Sequence, residues 1–211
     1  MLQPDSTGVV LIVDDDPSIG AALRRLLDSV GLTSEVYLRA SDCLSRFYSE
    51  VPTCAIVDVR MPDMSGLELQ QVLHARYGIP VIILSAHIDV TMAVRAMKEG
   101  AVEVLMKPFH DQDLLDAAVR AIEADRTRRI RQEELARLSE RYETLTARER
   151  EVMALVVEGL VNRAIAAKLG TSEKTIKVHR GHVMHKMRAA SLAALVRFAD
   201  RLAIRRPSTT H

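Results

Sequence analysis

The stretch Leu11-Ile12-Val13-Asp14-Asp15-Asp16-Pro17 sets an apolar run directly against three carboxylates. A short, wholly apolar run is the pattern of a strand covered on both faces, and it places the first strand at Val9–Asp14. Asp16 followed by Pro17 has the form of a helix start, an N-cap carboxylate and a proline at the first helical position. Further apolar runs predict strands at Thr33–Leu38, Cys54–Asp58, Pro80–Ser85 and Val102–Met106. Helical patterns follow each strand, at 17–30, 41–49, 66–76, 89–100 and from about 111 onward. Strands and helices alternating at this spacing predict an α/β fold, a doubly wound parallel sheet with helices on both faces.

In such sheets functional groups collect at the carboxyl ends of the strands, where the strand order reverses. The first strand ends in Asp14 and Asp15, and the third, within "CAIVDVRMPDMSG", ends in Asp58. The fourth ends in Ser85, and Lys107-Pro108 follows the fifth. Three crowded carboxylates repel one another. A hard divalent cation, Mg²⁺ (or Mn²⁺), relieves that repulsion through oxygen ligands. Lys107 adds a point positive charge suited to a phosphate oxygen, and Ser85 adds a hydroxyl. The set is suited to phosphoryl transfer onto Asp58 itself, forming an aspartyl phosphate. Asp14 and Asp15 are assigned to the metal, and Asp16 to helix capping.

The 211 residues exceed one ordinary compact domain, and their charge is divided unevenly. Residues 1–124 hold 10 Lys+Arg against 18 Asp+Glu, a balance of −8, whereas residues 144–211 hold 13 against 5, a balance of +8. An acidic half joined to a basic half implies two jobs, the basic one directed at a polyanion. Between them, residues 125–143 continue the last helix of the first half as a charged linker without Gly or Pro. Leu135, Leu138, Tyr142 and Leu145, at spacings of 3, 4 and 3, form a short apolar seam. Cys43 and Cys54 are too few for a disulfide framework and are expected reduced and buried. No apolar run approaches the about 18 residues of a membrane span, and the N-terminus lacks the pattern of a signal peptide. A soluble cytoplasmic protein is expected, with no membrane partner.

The basic half is helical throughout. Thr146 and Glu149 have capping-box spacing. Helices are expected to about Glu158, over Asn162–Leu169, from after Ser172 to about Met187, and over Ser191–Leu202, with a disordered tail at 205–211. The second and third of these, joined by a turn containing Gly170, form a helix-turn-helix, whose second helix enters the major groove of DNA. On it Ile176, His179, Val183 and Met187 make a core stripe, and Lys174, Thr175, Lys177, Val178 and Gly181 lie on the other side. Arg180, His182 and Lys186 are assigned to phosphates.

"VLIVDDDPS", "IVDVRMPDMSGLEL", "VIILSAH" and "VEVLMKPF" resemble, in order and spacing, the receiver domain of two-component response regulators over residues 8–124. "LTAREREVMALVVEGLVNRAIAAKLGTSEKTIKVHRGHVMHKM" resembles the LuxR-type helix-turn-helix of the NarL/FixJ class over residues 144–204. The first resemblance implies a CheY-like (βα)5 fold, phosphorylation of Asp58 by a sensor histidine kinase, a backbone-carbonyl metal ligand at Arg60 and a cis Lys107-Pro108 bond. The second implies base-reading positions at Lys177 and Val178, a DNA-bound dimer contact through Leu192, Leu195, Val196 and Ala199, and RNA polymerase as a further partner. One residue departs from the family pattern. Val104 stands where receivers usually carry a Phe or Tyr that swings inward on activation, and valine lacks that reach.

The expected domains are therefore a receiver at 1–124, a helical linker at 125–143, an all-α four-helix DNA-binding domain at 144–204 and the tail. The expected function is a DNA-binding transcriptional regulator that pairs with a second copy, through residues about 89–110, when Asp58 is phosphorylated. Its only catalysis would be phosphotransfer to Asp58 and self-dephosphorylation, so it is not expected to be an enzyme. A Mg²⁺ phosphohydrolase of the haloacid-dehalogenase type would carry a second acid two residues after its nucleophile, where this chain has Arg60. A protein-binding adaptor with a vestigial DNA domain would not need the basic helix.

Overall fold

The computed structural model describes residues 8–46 and 50–204. The expected end of the second helix at 49 and the tail at 205–211 lie outside the described residues. The chain divides into two compact units, Met1–Arg129 and Ile130–His211.

The first unit is a five-stranded parallel sheet in the order β2-β1-β3-β4-β5. Its strands are β1 (Val9–Val13), β2 (Thr33–Tyr37), β3 (Thr53–Asp58), β4 (Val81–Ser85) and β5 (Ala101–Met106). The helices that follow them are α1 (Pro17–Asp28), α2 (Ala40–Arg46), α3 (Gly66–Val72), α4 (Val90–Lys98) and α5 (Asp111–Glu143). Side chains alternate across the central strands, which sorts the core into two layers. Val10, Ile12, Cys54, Ile56, Ile82 and Leu84 pack on one face with Leu23 and Leu27 of α1 and Leu114, Ala117 and Ala121 of α5. Leu11, Val13, Ala55, Val57, Val81 and Ile83 pack on the other with Cys43 of α2, Leu69 of α3 and Ala96 of α4. The edge strand β2 is largely solvated, so the doubly covered pattern holds only for the central strands. Both cysteines are free and buried, and burial pushes the Cys43 thiol up to about 12.

Capping explains most helix starts. Asp16 accepts from Ser18 N, with Pro17 at the first position, as its sequence predicts. Ser65 and Glu68 form a full capping box on α3. The expected helix at 66–76 changes character midway: α3 ends at Val72 and a π-helical turn continues over Leu73–Tyr77, closed by Gly78 at φ 67°. The loop between β3 and α3 is fixed at two points. Asp63 accepts from Ser41 N at 3.0 Å and so caps α2, and these bonds hold its carboxyl at about 2. A Cβ on Gly66 would stand 2.0 Å from the Asp58 carbonyl oxygen, so only glycine lets α3 start this close to the strand end.

Near the foot of the sheet, Asp125 on α5 is fully buried. It accepts from Thr53 N at the start of β3 at 2.9 Å and pairs with Arg128 and Arg129. The segment 125–143 is thus no free spacer. Its first residue belongs to the receiver core, and Leu138 and Tyr142 belong to the core of the second unit, while Leu135 stays exposed. Three of the four residues of the apolar seam, Leu138, Tyr142 and Leu145, are spent on that core.

The second unit adds α6 (Ala147–Val157), α7 (Asn162–Leu169), α8 (Glu173–Lys186) and α9 (Leu192–Arg201) to the end of α5. Its core joins Leu145, Val152, Met153, Val156, Ile165, Ile176, Val183, Met187 and Leu195. Thr146 and Glu149 form the expected capping box. Glu149 is buried and also accepts from Lys186 Nζ of α8 at 2.6 Å. Burial alone pushes its carboxyl up, but the Lys186 ammonium and the Thr146 amide and hydroxyl overcome this and hold it at about 2.

Gly66→Ala should lower the stability of the receiver unit by about 2 kcal/mol or more, because backbone must move to admit the methyl; urea unfolding measures it. Glu149 has a folded pKa below its ordinary value of 4.5. Its contribution is therefore full above pH 4.5 and is lost as pH falls toward about 2. The urea midpoint of the helical unit should fall through that window, and Glu149→Gln, which cannot titrate, should flatten the dependence.

Candidate functional site

Parallel pairing assembles the acidic site from separate segments. Val13 is in register with Val57, so Asp14 and Asp58 leave adjacent strands side by side. Leu84 is in register with Asp58, and Ser85 with Met106, which brings the ends of β4 and β5 to the same edge. The strand order reverses at β1 and β3, the position where such sheets carry their ligands. A pocket of about 270 Å³ opens there, lined by Asp14, Asp15, Asp16, Asp58, Ser85 and Lys107 among others.

Lys107 is the hub. Its Nζ donates to Asp14 Oδ2 at 2.8 Å and to Asp58 Oδ1 at 2.6 Å. Burial works against the ammonium, but the hydrogen bonds and charges of the two carboxylates outweigh it and raise its pKa above the ordinary lysine value. The Lys107-Pro108 bond is cis, and Lys107 N donates to the Ser85 carbonyl at 2.8 Å. The other oxygen of Asp58 accepts from Arg60 N at 2.7 Å. Asp14 is 2% exposed and also accepts from Asp16 N. Asp15 is exposed on the rim of the pocket. Among the described residues, Asp14, Asp15 and Asp58 do not bring all three of their ligand atoms within 4.8 Å of one another; Lys107 Nζ bridges Asp14 and Asp58. The metal-ligating atoms around the pocket are all hard oxygens, and its four carboxylates, Asp14, Asp15, Asp16 and Asp58, outnumber the cations Lys107 and Arg60, a composition that fits a divalent cation such as Mg²⁺.

Ser85 Oγ donates to the His87 carbonyl at 2.8 Å, turned toward its own loop. The Arg60 side chain lies beside His87, with Nη2 3.1 Å from Nδ1. Sequence reasoning assigned Arg60 a role through its backbone only, and an exposed Arg and His so far apart in the chain gave no signal of this contact. Val104 pairs with Ile83 and packs against the α2–α3–α4 layer of the core. Val90 is 79% and Met106 55% exposed, with Val94 and Met97 also exposed. These exposed apolar residues of α4 and β5 fall within the stretch 89–110 that is expected to pair.

In the helical unit α7 ends at Gly170, in the left-handed conformation at φ 62°, and Ser172 caps α8. This is a helix-turn-helix. Lys174, Thr175, Lys177, Val178 and Gly181 are exposed, and Ile176, Val183 and Met187 are buried, as the periodicity requires. The Thr175 hydroxyl is shared with Ser172. Arg180 donates to Asn162 Oδ1 across the two helices at 3.1 Å.

Two residues assigned to DNA phosphates, Lys186 and His182, also have a protein partner, with side chains 33% and 60% exposed. Lys186 is bonded to Glu149 and to the Thr144 carbonyl, and His182 Nδ1 lies 3.4 Å from Glu149 Oε1. A buried carboxylate on α6 needs a cation, and the sequence gives no sign of which helix supplies it. Of the expected dimer residues, Leu195 and Ala199 are buried in the core of their own unit and are not available to a partner copy, while Leu192 is exposed and Val196 partly so. The stripe of α9 that faces α6 takes the former pair.

Comparison with known proteins agrees with both halves. The model of the response regulator receiver domain matches residues 10–119, and that of the luxR family of bacterial regulatory proteins matches residues 143–199. Nodulation protein W of Bradyrhizobium diazoefficiens is 45% identical over 96% of this chain and 89% of its own length. The transcriptional regulatory protein FixJ of Azorhizobium caulinodans is 42% identical over 90% of each chain. The solved structure of the response regulator StyR has a TM-score of 0.82 at 43% identity, covering 92% of this chain and 98% of that one. No described helix is long and apolar enough to cross a membrane. With a receiver-type sheet edge in one unit and a LuxR-type helix-turn-helix in the other, the chain belongs to the NarL/FixJ class of two-component response regulators.

Proposed function

We propose that a sensor histidine kinase phosphorylates Asp58 and that this promotes pairing of two copies and binding of α8 to promoter DNA in the cytoplasm. The observation that carries the reading is the Lys107 ammonium bridging Asp14 and Asp58 at the carboxyl edge of the sheet. A carboxylate oxygen of Asp58 attacks phosphorus. The bond from phosphorus to the kinase imidazole nitrogen breaks, and its electron pair leaves with that nitrogen. Lys107 then stays with an oxygen of the transferred group and offsets its charge. Asp14, Asp15, Asp58 and the Arg60 carbonyl are the residues that would hold Mg²⁺ (or Mn²⁺), which supplies further neutralisation of the phosphoryl oxygens. The phosphoryl group adds about −1.5 to −2 charges. That charge draws the Ser85 hydroxyl away from the His87 carbonyl and moves the loop beyond β4, which leads into α4 and its exposed Val90, Val94 and Met97. With Val104 in place of an aromatic side chain, this loop carries the signal. The chain catalyses only the gain and loss of its own phosphoryl group. Its partners on this reading are the kinase, promoter DNA, a second copy and RNA polymerase.

On DNA, Lys174, Thr175, Lys177 and Val178 sit on the exposed first turns of α8, the part of a recognition helix that meets base edges. Pairing raises the effective concentration of the second recognition helix at its half-site.

Incubation with a small phosphodonor and Mg²⁺ should add one phosphoryl mass to the intact chain and none to Asp58→Asn. It should convert monomer to dimer by light scattering and tighten binding to genomic promoter fragments about tenfold or more. Phosphorylation retained in Asp58→Asn overturns the acceptor, and unchanged mass and affinity in the phosphorylated chain overturn the switch. Separately, Lys177→Ala should weaken binding to a preferred fragment by about 1–3 kcal/mol, measured by fluorescence anisotropy at fixed salt, with the melting temperature unchanged.

A further inference from the structure

Among the described residues, one group of His, Cys, Asp and Glu side chains brings three ligand atoms within 4.8 Å of one another: Glu149 on α6 with His179 and His182 on α8. The histidines stand three apart, so they share one face of the helix. Glu149 divides its carboxylate between two sides. Oε2 accepts from Lys186 Nζ at 2.6 Å and from Thr146 N at 2.8 Å, whereas Oε1 lies 3.4 Å from His182 Nδ1. Two ligands each about 2.1 Å from a tetrahedral zinc ion are themselves about 3.4 Å apart. Glu149 Oε1 and His182 Nδ1 thus already span one edge of such a tetrahedron. His179 Nδ1 is buried and has no hydrogen-bond partner, a state that buried polar atoms rarely keep. The His182 side chain is 60% exposed, which leaves room for an ion to enter and for the ring to turn.

We propose that Glu149 Oε1, His179 and His182 bind one Zn²⁺ or a related first-row transition ion, with the fourth position open to water. Two imidazoles and one carboxylate suit zinc, copper or nickel and not Mg²⁺, so the site is chemically separate from the all-oxygen set of the receiver unit. Lys186 keeps its bond to Oε2 and leaves Oε1 for the ion. The ion ties the first turn of α6 to the middle of α8, and it does so whatever DNA the helix meets. The inference does not depend on the function proposed above.

The test uses the full, untagged chain in saturating Mg²⁺, so that the receiver oxygens are occupied. Isothermal titration with Zn²⁺ should show one equivalent per chain, and Co²⁺ should give the visible absorption of a nitrogen-ligated site. His182→Ala and His179→Gln should each weaken binding about tenfold or more, and His185→Ala should not. If His179→Gln is misfolded by circular dichroism, His182→Ala, at an exposed position, decides alone. Absence of the equivalent overturns the site. So does uptake unchanged in His182→Ala, or uptake lost in His185→Ala.

Discussion

One ammonium between two carboxylates is the constraint on which the receiver unit depends. Asp14 and Asp58 stand on neighbouring parallel strands in matched register, and without Lys107 their charges would repel across a barely solvated gap. The order of the sheet makes the arrangement possible. Because β1 lies between β2 and β3, and β3 leads on to β4 and β5, all four contributing strands deliver their ends to one edge. The tight β3–α3 loop follows from the same demand. Gly66 and Asp63 draw the chain back against the strand end, which keeps Asp58 within reach of Lys107.

Much of this was legible in the sequence because it rests on local rules. A wholly apolar run ending in charge marks a doubly covered strand. The Asp16-Pro17, Ser172 and Thr146–Glu149 signals each produced the cap they predict. The convergence of Asp14, Asp58, Ser85 and Lys107 follows once the strands are taken as parallel. What stayed hidden was long-range and depended on side-chain direction. The reach of Lys186 to Glu149 spans 37 positions, and no periodicity within α8 distinguishes it from a lysine aimed at phosphate. Leu195 and Ala199 looked like a contact face because an apolar stripe on a last helix reads the same whether a partner or its own core covers it. The π-helical turn after α3 has no marker in the apolar spacing, which continues smoothly through it.

The two units meet the cost of buried charge in the same way. Asp125 in the first and Glu149 in the second are fully covered carboxylates, each held by backbone N–H groups and by cations from the surface. Each fixes the position of an element that carries function. Asp125 holds the start of β3, whose far end bears Asp58, and Glu149 holds the C-terminal half of α8.

That last attachment divides α8 into two parts with different freedoms. Its C-terminal half is bound into the core through Val183, Lys186 and Met187, while its first turns, Lys174 to Val178, carry exposed side chains apart from Ile176. Substitutions at Lys174, Lys177 and Val178 alter what the helix presents without touching the core contacts that hold it. Binding preference in this scaffold can therefore diverge one side chain at a time at these positions.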